Sequence, residues 1–399
     1  MPLTQRHILF IPSWYPSSDA PLLGTFFREQ AEMFAEIGHK VGVLHARFHH
    51  LPSATWRKGP SRPIAMTVEN NLTVVRASKR LFQPGPFHRL PSVYRSFVRS
   101  HEKVALKMYD AYKAVHGPPD IIHAKATMWG AILAKAIAER ENIPYVVTVH
   151  SSVFARGIVG PRERTTATVA LKSANRLLSV SSALANDIER TLGIQASTFS
   201  TVPNMIDLEK FPSTPLPKNS TFTFGYMANL VKDKGHRTLL QAFQNVPNAK
   251  LLLAGEGPLR NELEELTSAY GMDDSVEFVG SIPREKAAEF FQALDAFVHP
   301  SRYESFGIVL IEALSTGRPV IATRCGGPND IVRKEDGILV DIDDADGLAE
   351  AMRNTINMEW DSNNMRVGVE TRYSKGVIRQ QLLEVYEAVL SSNSSLKED

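Results

Sequence analysis

The stretch His299-Pro-Ser-Arg-Tyr-Glu304-Ser-Phe-Gly307, followed by Glu312-Ala-Leu-Ser-Thr-Gly317-Arg-Pro-Val-Ile-Ala-Thr-Arg-Cys-Gly-Gly327, decides the reading of this chain. Residues 296–299 read as a buried strand, and Gly307 opens a helix soon after it. A loop that feeds a helix N-terminus is a natural seat for phosphate, because N–H groups and the helix dipole both favour an anion there. Glu304 and Glu312 stand eight positions apart and bracket the start of that helix. A carboxylate inside the helix can accept two hydroxyl hydrogen bonds, as a ribose offers. A carboxylate before the helix can meet a sugar beyond the phosphates. The pattern suits a nucleotide sugar.

Outward from this block, strands and helices alternate. Residues 6–11 read as a strand that ends at Pro12, and a Pro- and Ser-rich loop follows over 13–23. Gly24 then opens a helix with Phe27, Ala31, Phe34 and Ile37 at helical spacing, closed by Gly38. The next strand spans 41–44. A strand–loop–helix–strand unit is the mark of a parallel sheet covered by helices. The theme recurs with strand 120–123, helix 130–142, strands 145–149 and 174–180, and helix 182–192. Composition changes near Val202, and 212–220 holds three prolines, which reads as an interdomain linker. The alternation then restarts with strands 221–227, 250–254 and 276–279 and helices 236–244 and 259–270. A final helix over 375–390 places Ile378, Leu382, Val385 and Val389 on one face. The expectation is two doubly wound α/β domains, with ligand in the cleft at the carboxyl ends of the strands.

A length of 399 residues suits two domains, or three. Hydrophobic content of 43% and charged content of 22% fit an ordinary globular enzyme. The single cysteine, Cys325, excludes an intramolecular disulfide and a cysteine-based metal site, and fits a reducing compartment. The apolar run Ile8-Leu-Phe-Ile11 is too short for a secretory segment. No run approaches the ~18 apolar residues of a membrane span. The expected place is the cytoplasm. The net charge of +2 is unevenly spread: His45 to Lys107 holds 12 Lys/Arg against 2 acids, and five of the 12 histidines. Trp56, Phe82, Phe87, Tyr94 and Phe97 are interleaved with this charge. A solvated basic face is the plain reading. The functional one is peripheral docking on an anionic membrane leaflet, at ~1 kcal/mol per basic residue with aromatics at the interface. No recognition motif accompanies the charge, so nucleic acid is not an expected partner.

The motifs make the chain resemble the retaining glycosyltransferases of family 4, of the two-Rossmann-domain GT-B type. The resemblance begins at Ile11-Pro-Ser-Trp-Tyr-Pro16 and Gly38-His-Lys-Val41. It runs through Val147-Thr-Val-His150, Ser179-Val-Ser181, Val202-Pro-Asn204, Lys234-Gly235, Gly255-Glu-Gly-Pro258 and Val276-Glu-Phe-Val-Gly280, and is most specific over 300–327. It implies two facing doubly wound Rossmann-like domains: an acceptor-binding domain over 1–203 and a nucleotide-sugar donor-binding domain over 204–374. A C-terminal helix in 375–399 would cross back to the first. The implied activity is retaining transfer of a hexose or N-acetylhexosamine from a nucleoside diphosphate sugar, UDP-linked in preference to GDP-linked. The implied acceptor is a sugar hydroxyl of a glycan or lipid-linked oligosaccharide in cell-surface polysaccharide assembly; the basic segment 45–107 is what would bring the enzyme to the inner face of the cytoplasmic membrane to reach it. No cofactor and no metal are expected. Two alternatives share the fold: a nucleotide-sugar epimerase, and a catalytically silent nucleotide-sugar-binding module.

Carried onto this sequence, the resemblance makes Glu312 the ribose acceptor, though alone it reads as a helix-surface glutamate. It puts Glu304 beside the donor sugar, though a carboxylate there also suits a helix cap. The amides of Ser305, Phe306 and Gly307 would line the same pocket. Lys234 would neutralise the diphosphate as charge builds on the leaving group. The chain departs from the family pattern at Ala228-Asn229, where many relatives have Gly-Arg. Asn229 can donate a hydrogen bond but brings no charge, so Arg302 and Arg324 become candidate substitutes. His150 would touch the donor sugar; alone it reads as a satisfied structural histidine. Gly24 would let a loop approach the phosphates, or simply start a helix. The expected catalytic residues are thus His150, Glu304 and Lys234. The expected donor-binding residues are Gly24, Asn229, Lys234, Ser305, Phe306, Gly307 and Glu312. Asp341-Ile-Asp343 spells a metal-diphosphate motif of another fold, but Asp344 reads better as the cap of the next helix. Gly255-Glu-Gly-Pro258 reads first as a strand-to-helix turn, and Cys325 as a packed side chain. No side chain is an obvious double-displacement nucleophile; the family implies a same-face mechanism.

Overall fold

The apolar run His7–Pro12 becomes β1 with all six residues buried, as a strand covered by helices on both faces requires. The computed structural model describes every residue except 1–4, 22, 52–61, 83–89, 152, 155, 217–219 and 396–399. The chain forms two units: Met1–Val180, Ala185–Val202 and Arg379–Asp399 make the first, and Ser181–Leu184 with Pro203–Ile378 the second.

In the first unit β1 is followed by α1 (Thr25–Ala35), β2 (Lys40–Leu51), β3 (Arg62–Glu69), β4 (Leu72–Phe82) and α2 (Pro91–His116). Then come β5 (Ile121–Lys125), α3 (Ile132–Glu141), β6 (Tyr145–Val149), α4 (Pro161–Lys172), β7 (Arg176–Ser179), α5 (Ser182–Leu192) and β8 (Phe199–Thr201). The sheet order is β3-β4-β2-β1-β5-β6-β7-β8. The β3–β4 pair is antiparallel, and the others are parallel. The second strand was expected to stop at Leu44, where the apolar run ends. It continues to Leu51 because β4 pairs with it from Gly42↔Thr73 to Leu51↔Phe82, so the ladder carries its polar half, in which His45 and His49 are buried. The helix expected from residue 130 opens with a π turn, Thr127–Ala131. Gly130 sits there against the Ile11 and Lys125 carbonyls, where a Cβ would come within 2.8 and 2.4 Å.

The second unit runs β9 (Phe222–Met227), α6 (His236–Phe243), β10 (Ala249–Ala254), α7 (Arg260–Ala269), β11 (Val276–Gly280), α8 (Ala287–Gln292) and β12 (Ala296–His299). It continues with α9 (Ile308–Ser315), β13 (Val320–Thr323), α10 (Pro328–Ile331), β14 (Gly337–Val340), α11 (Ala345–Asn357) and α12 (Ser362–Tyr373). Its sheet is parallel, in the order β11-β10-β9-β12-β13-β14. The proline-rich connection is fastened to this unit rather than loose. Arg318, fully buried, donates to the carbonyls of Thr214 (2.9 Å), Gln292 (2.8 Å) and Thr316 (2.9 Å). Arg366 donates to the carbonyls of Leu208 (3.0 Å) and Ser315 (2.8 Å). A buried guanidinium needs that full set of acceptors.

The last helix, α13 (Lys375–Ser395), belongs to the first unit from Arg379 onward. Leu382 is fully buried, as expected, and so is Tyr386. The Tyr386 hydroxyl bonds Nδ1 of buried His123 on β5, whose Nε2 lies 2.7 Å from the Thr148 hydroxyl on β6. Arg6 Nε donates to Glu387 at 2.8 Å.

Candidate active site

In the second unit β9 pairs with β10 on one side and β12 on the other. The winding direction therefore reverses between β9 and β12. At such a switch point the loops leaving the carboxyl ends diverge and open a crevice. The loop after β9 carries Lys234, and the loop after β12 carries Glu304. Lys234 ends a 3-10 turn, Lys232–Lys234, and its carbonyl accepts from the buried Tyr226 hydroxyl at 2.6 Å. The Arg302 amide donates to the Asp233 carbonyl at 2.9 Å, which ties the two loops together. Gly235 follows with φ of 70°, and a Cβ there would stand 1.9 Å from the Pro300 carbonyl oxygen. Only glycine permits that approach.

This brings together two residues 70 positions apart. Lys234 Nζ forms an ion pair with Glu304 Oε1, and His299 Nε2 lies 3.0 Å from the same oxygen. Burial pushes the Glu304 carboxyl up, but His299 and then Lys234 outweigh it and hold the group down at about 2. The carboxylate is thus ionised at neutral pH.

The Glu304 loop is pinned to the loop after β13. The Glu304 amide donates to the Cys325 carbonyl at 3.1 Å, and the Gly327 amide to the Glu304 carbonyl at 2.9 Å. A Cβ at Gly327 would stand 2.2 Å from the Phe306 carbonyl oxygen. Phe306 is buried and meets Tyr373 edge-on at 5.8 Å. Gly307, with φ of 99°, caps α9. The Ser305 carbonyl accepts from the Ser181 hydroxyl of the same unit at 2.6 Å. Gly327→Ala should displace the whole Glu304–Gly307 loop. We expect a loss of about 1–3 kcal/mol of stability, read from urea unfolding, with weaker nucleotide binding by calorimetry.

Glu312 lies on α9, ~6 Å along the axis from its first residue. Its side chain is 1% exposed and paired with Arg284. The Arg284 guanidinium also lies 5.1 Å over the Phe211 ring. Sequence reasoning missed Arg284, because it stands in a separate turn, Arg284–Lys286, and no local spacing links it to Glu312.

Asn229 is exposed. Its loop rests on Gly255-Glu-Gly: a Cβ at Gly255 would come within 1.9 Å of the Ala228 carbonyl oxygen, and the Leu230 amide donates to the Glu256 carbonyl at 2.9 Å. That glycine turn therefore shapes the departing loop. The two arginines considered as substitutes are held by the Asp341-Ile-Asp343 carboxylates. Arg302 Nε donates to Asp343 at 2.7 Å, and Arg324 pairs with Asp341 at 3.6 Å. Asp344 caps α11 by accepting from the Gly347 amide at 2.9 Å. Among the described residues no group of three or more His, Cys, Asp or Glu could hold a metal. Cys325 is buried, and burial pushes its thiol up to about 11.

The first unit gathers His150 and Gly24 around the start of α1. His150 follows β6, with the Phe27 ring edge-on at 4.8 Å and Phe26 at 5.6 Å. Gly24 caps α1 with φ of 76°, and a Cβ there would stand 2.8 Å from the Trp14 carbonyl oxygen. Trp14 in turn stacks on Phe27 at 6.0 Å. In the basic segment, Arg95, Arg99, Lys103 and Lys107 are exposed at four-residue spacing along α2. Tyr94 and Phe97 are core residues beneath that helix, not interface anchors. Phe82 ends β4, and Trp56 and Phe87 lie outside the described residues. No helix among the described residues is long and apolar enough to cross a membrane.

The comparisons agree with this architecture. The profile of Glycosyltransferase Family 4 matches residues 23–210, and that of Glycosyl transferases group 1 matches 208–371. The chain is 28% identical over 368 residues to TuaC of Bacillus subtilis (strain 168), provisionally named a teichuronic acid biosynthesis glycosyltransferase. That match covers 86% of this chain and 88% of TuaC. Sucrose-phosphate synthase of Thermosynechococcus elongatus aligns with a TM-score of 0.74 at 22% identity, over 97% of this chain and 100% of that one. HepE of Anabaena, solved with UDP and glucose, aligns with a TM-score of 0.68 at 18% identity, over 96% and 100%. The two profiles together span both units, and the chain belongs to the family 4 glycosyltransferases of GT-B fold.

Proposed function

We propose that the second unit binds a nucleoside diphosphate sugar, UDP-linked in preference to GDP-linked, and that the enzyme transfers its hexose or N-acetylhexosamine with retention. The observation that carries this is the meeting of Lys234 and Glu304 at the switch point, with Glu312 in the helix behind. In this reading the diphosphate takes Lys234 from Glu304. As the glycosyl–oxygen bond breaks, the ammonium meets the charge developing on the leaving phosphate. Glu304, freed from one partner, accepts sugar hydroxyls and faces the oxocarbenium-like centre. Glu312 receives the ribose. Glu304 is already engaged by Lys234 and by the His299 ring, which ill suits a covalent nucleophile. We infer a same-face displacement in which the leaving phosphate takes the acceptor proton. The UDP complex of HepE supports the choice of base, and the name of TuaC supports cell-surface polysaccharide assembly.

The acceptor in this reading is a glycan or lipid-linked sugar hydroxyl bound by the first unit, and no metal takes part. Incubation with UDP- and GDP-sugars in excess chelator, with product anomers read by NMR, should give transfer with the donor's configuration. An inverted product refutes retention, and activity lost in chelator and restored by Mg²⁺ refutes metal independence. Isomerised donor without transfer identifies the epimerase alternative. The α2 cation stripe would dock on an anionic leaflet, at ~1 kcal/mol per basic residue. Co-sedimentation with anionic but not zwitterionic vesicles is the expected result, and no binding at low salt rejects it.

A further inference from the structure

Three edge strands of the first unit present one polar face that the donor chemistry does not use. Residues two apart on a strand share a face, so His45, Arg47 and His49 of β2 lie together. Parallel register sets Arg76 of β4 opposite His45, and Ser78 opposite Arg47. Antiparallel register adds Arg62 of β3 opposite Ser78, with a bulge between Arg62 and Ala65. A bulge at a sheet edge re-aims side chains. The loop after β1 closes over this face through Ser17 and Asp19, leaving a pocket of about 170 Å³. An adjoining pocket shares Arg62 and Arg76 and adds Arg28 and Glu69. Arg28 pairs with Glu32 at 3.7 Å, so four arginines stand against three carboxylates, Asp19, Glu32 and Glu69.

The cations are positioned rather than merely exposed. Arg76 donates Nη2 to Glu69 at 2.9 Å and to the Pro16 carbonyl at 3.2 Å, and its guanidinium lies 5.3 Å over the Tyr15 ring. Arg47 pairs with Asp19. Arg62 has no carboxylate partner among the described residues. His45 lines the pocket at 8% exposure, and its ring lies 6.1 Å from the Tyr15 ring. Burial, then Arg76 and Arg47, push its pKa down to about 4. A neutral imidazole beside Arg47, Arg62 and Arg76 leaves the positive charge of this pocket without a matching anion other than Asp19 among the described residues that line it. Guanidinium forks match the oxyanions of carboxylates and phosphates.

We propose that this pocket binds an oxyanion carried by the acceptor, a phosphoryl group or a uronate carboxylate. The enzyme then prefers charged over neutral glycan acceptors. This rests on the reading that the first unit takes the acceptor.

The test uses the full chain labelled with ¹³C in its histidine rings. The His45 signal is assigned by its loss in His45→Gln. Inorganic phosphate, glucuronic acid and neutral glucose are titrated in turn. One or both anions should move the His45 signal and glucose should not; the anion that saturates at the lower concentration names the source. Arg47→Met/Arg62→Met changes one half-exposed and one exposed side chain and substitutes no buried residue. It should raise the half-saturating anion concentration roughly tenfold or more, with UDP affinity by calorimetry unchanged. A His45 signal indifferent to both anions, or an equal response in the double variant, overturns the proposal. Failure of the transferase reading would show separately, as absent nucleotide binding.

Discussion

Lys234→Ala should lower kcat by about 10²–10³-fold, or ~2.7–4 kcal/mol, the range seen when one donor aimed at a developing anion is removed. The Lys234 and Glu304 side chains are 28% and 15% exposed; in the free enzyme the variant leaves Glu304 with His299 as its partner, and the kinetic loss should fall on the transition state. Donor KM should therefore change much less than kcat. Steady-state kinetics with the preferred donor checks this; a variant with wild-type kcat would remove Lys234 from the mechanism. Glu304→Gln belongs in the same cycle, because residues sharing one oxygen are not additive. Its stability effect has a defined pH window. The folded Glu304 carboxyl is depressed from 4.5 to about 2. Its stabilising contribution is therefore present above about pH 4.5 and is lost as pH falls toward 2.

Removing α13 by truncation before Lys375 should leave the first unit unable to fold. Leu382, Leu383, Tyr386 and Val389, all in the part of the helix that belongs to the first unit, are at most 7% exposed. At ~1.5–3 kcal/mol per buried large side chain, their loss rivals the ~5–15 kcal/mol stability of a whole domain. Truncation also strips Phe34 of its neighbour Tyr386 at 5.5 Å and His123 of its hydroxyl partner. The milder Tyr386→Phe keeps the apolar contact and orphans only the His123 ring nitrogen, at a cost of about 1–3 kcal/mol. Thermal unfolding measures both. A soluble, fully active truncated protein would contradict the assignment of this helix to the first unit's core.

What the sequence disclosed follows from how local each signal is. Strands 145–149 and 296–299 and helix 182–192 are legible because burial on both faces leaves unbroken apolar runs, and helical spacing marks the rest. The Glu304–Glu312 pair is legible because strand, glycine and helix stand within one short segment. The polar half of β2 and the antiparallel β3 are not, since their ladder depends on β4. Tyr94 and Phe97 looked like interface residues because charge surrounds them in sequence, whereas the helix turns them inward. Arg284, His299 as a partner of Glu304, and the clamp of the departing Asn229 loop by Gly255 all arise from separate loops converging at one sheet edge. The arginines at 302 and 324 looked free for the diphosphate only because their aspartate partners lie far along the chain.

The most direct measurement is calorimetric titration of the wild type and Glu312→Ala with UDP and with GDP, in excess chelator. The account predicts that the wild type binds UDP, and binds it more tightly than GDP. It predicts that Glu312→Ala weakens binding by at least ~1.4 kcal/mol, or tenfold, while remaining folded. Binding of neither nucleotide by the wild type, or equal affinity in the folded variant, would contradict the placement of the donor on this helix.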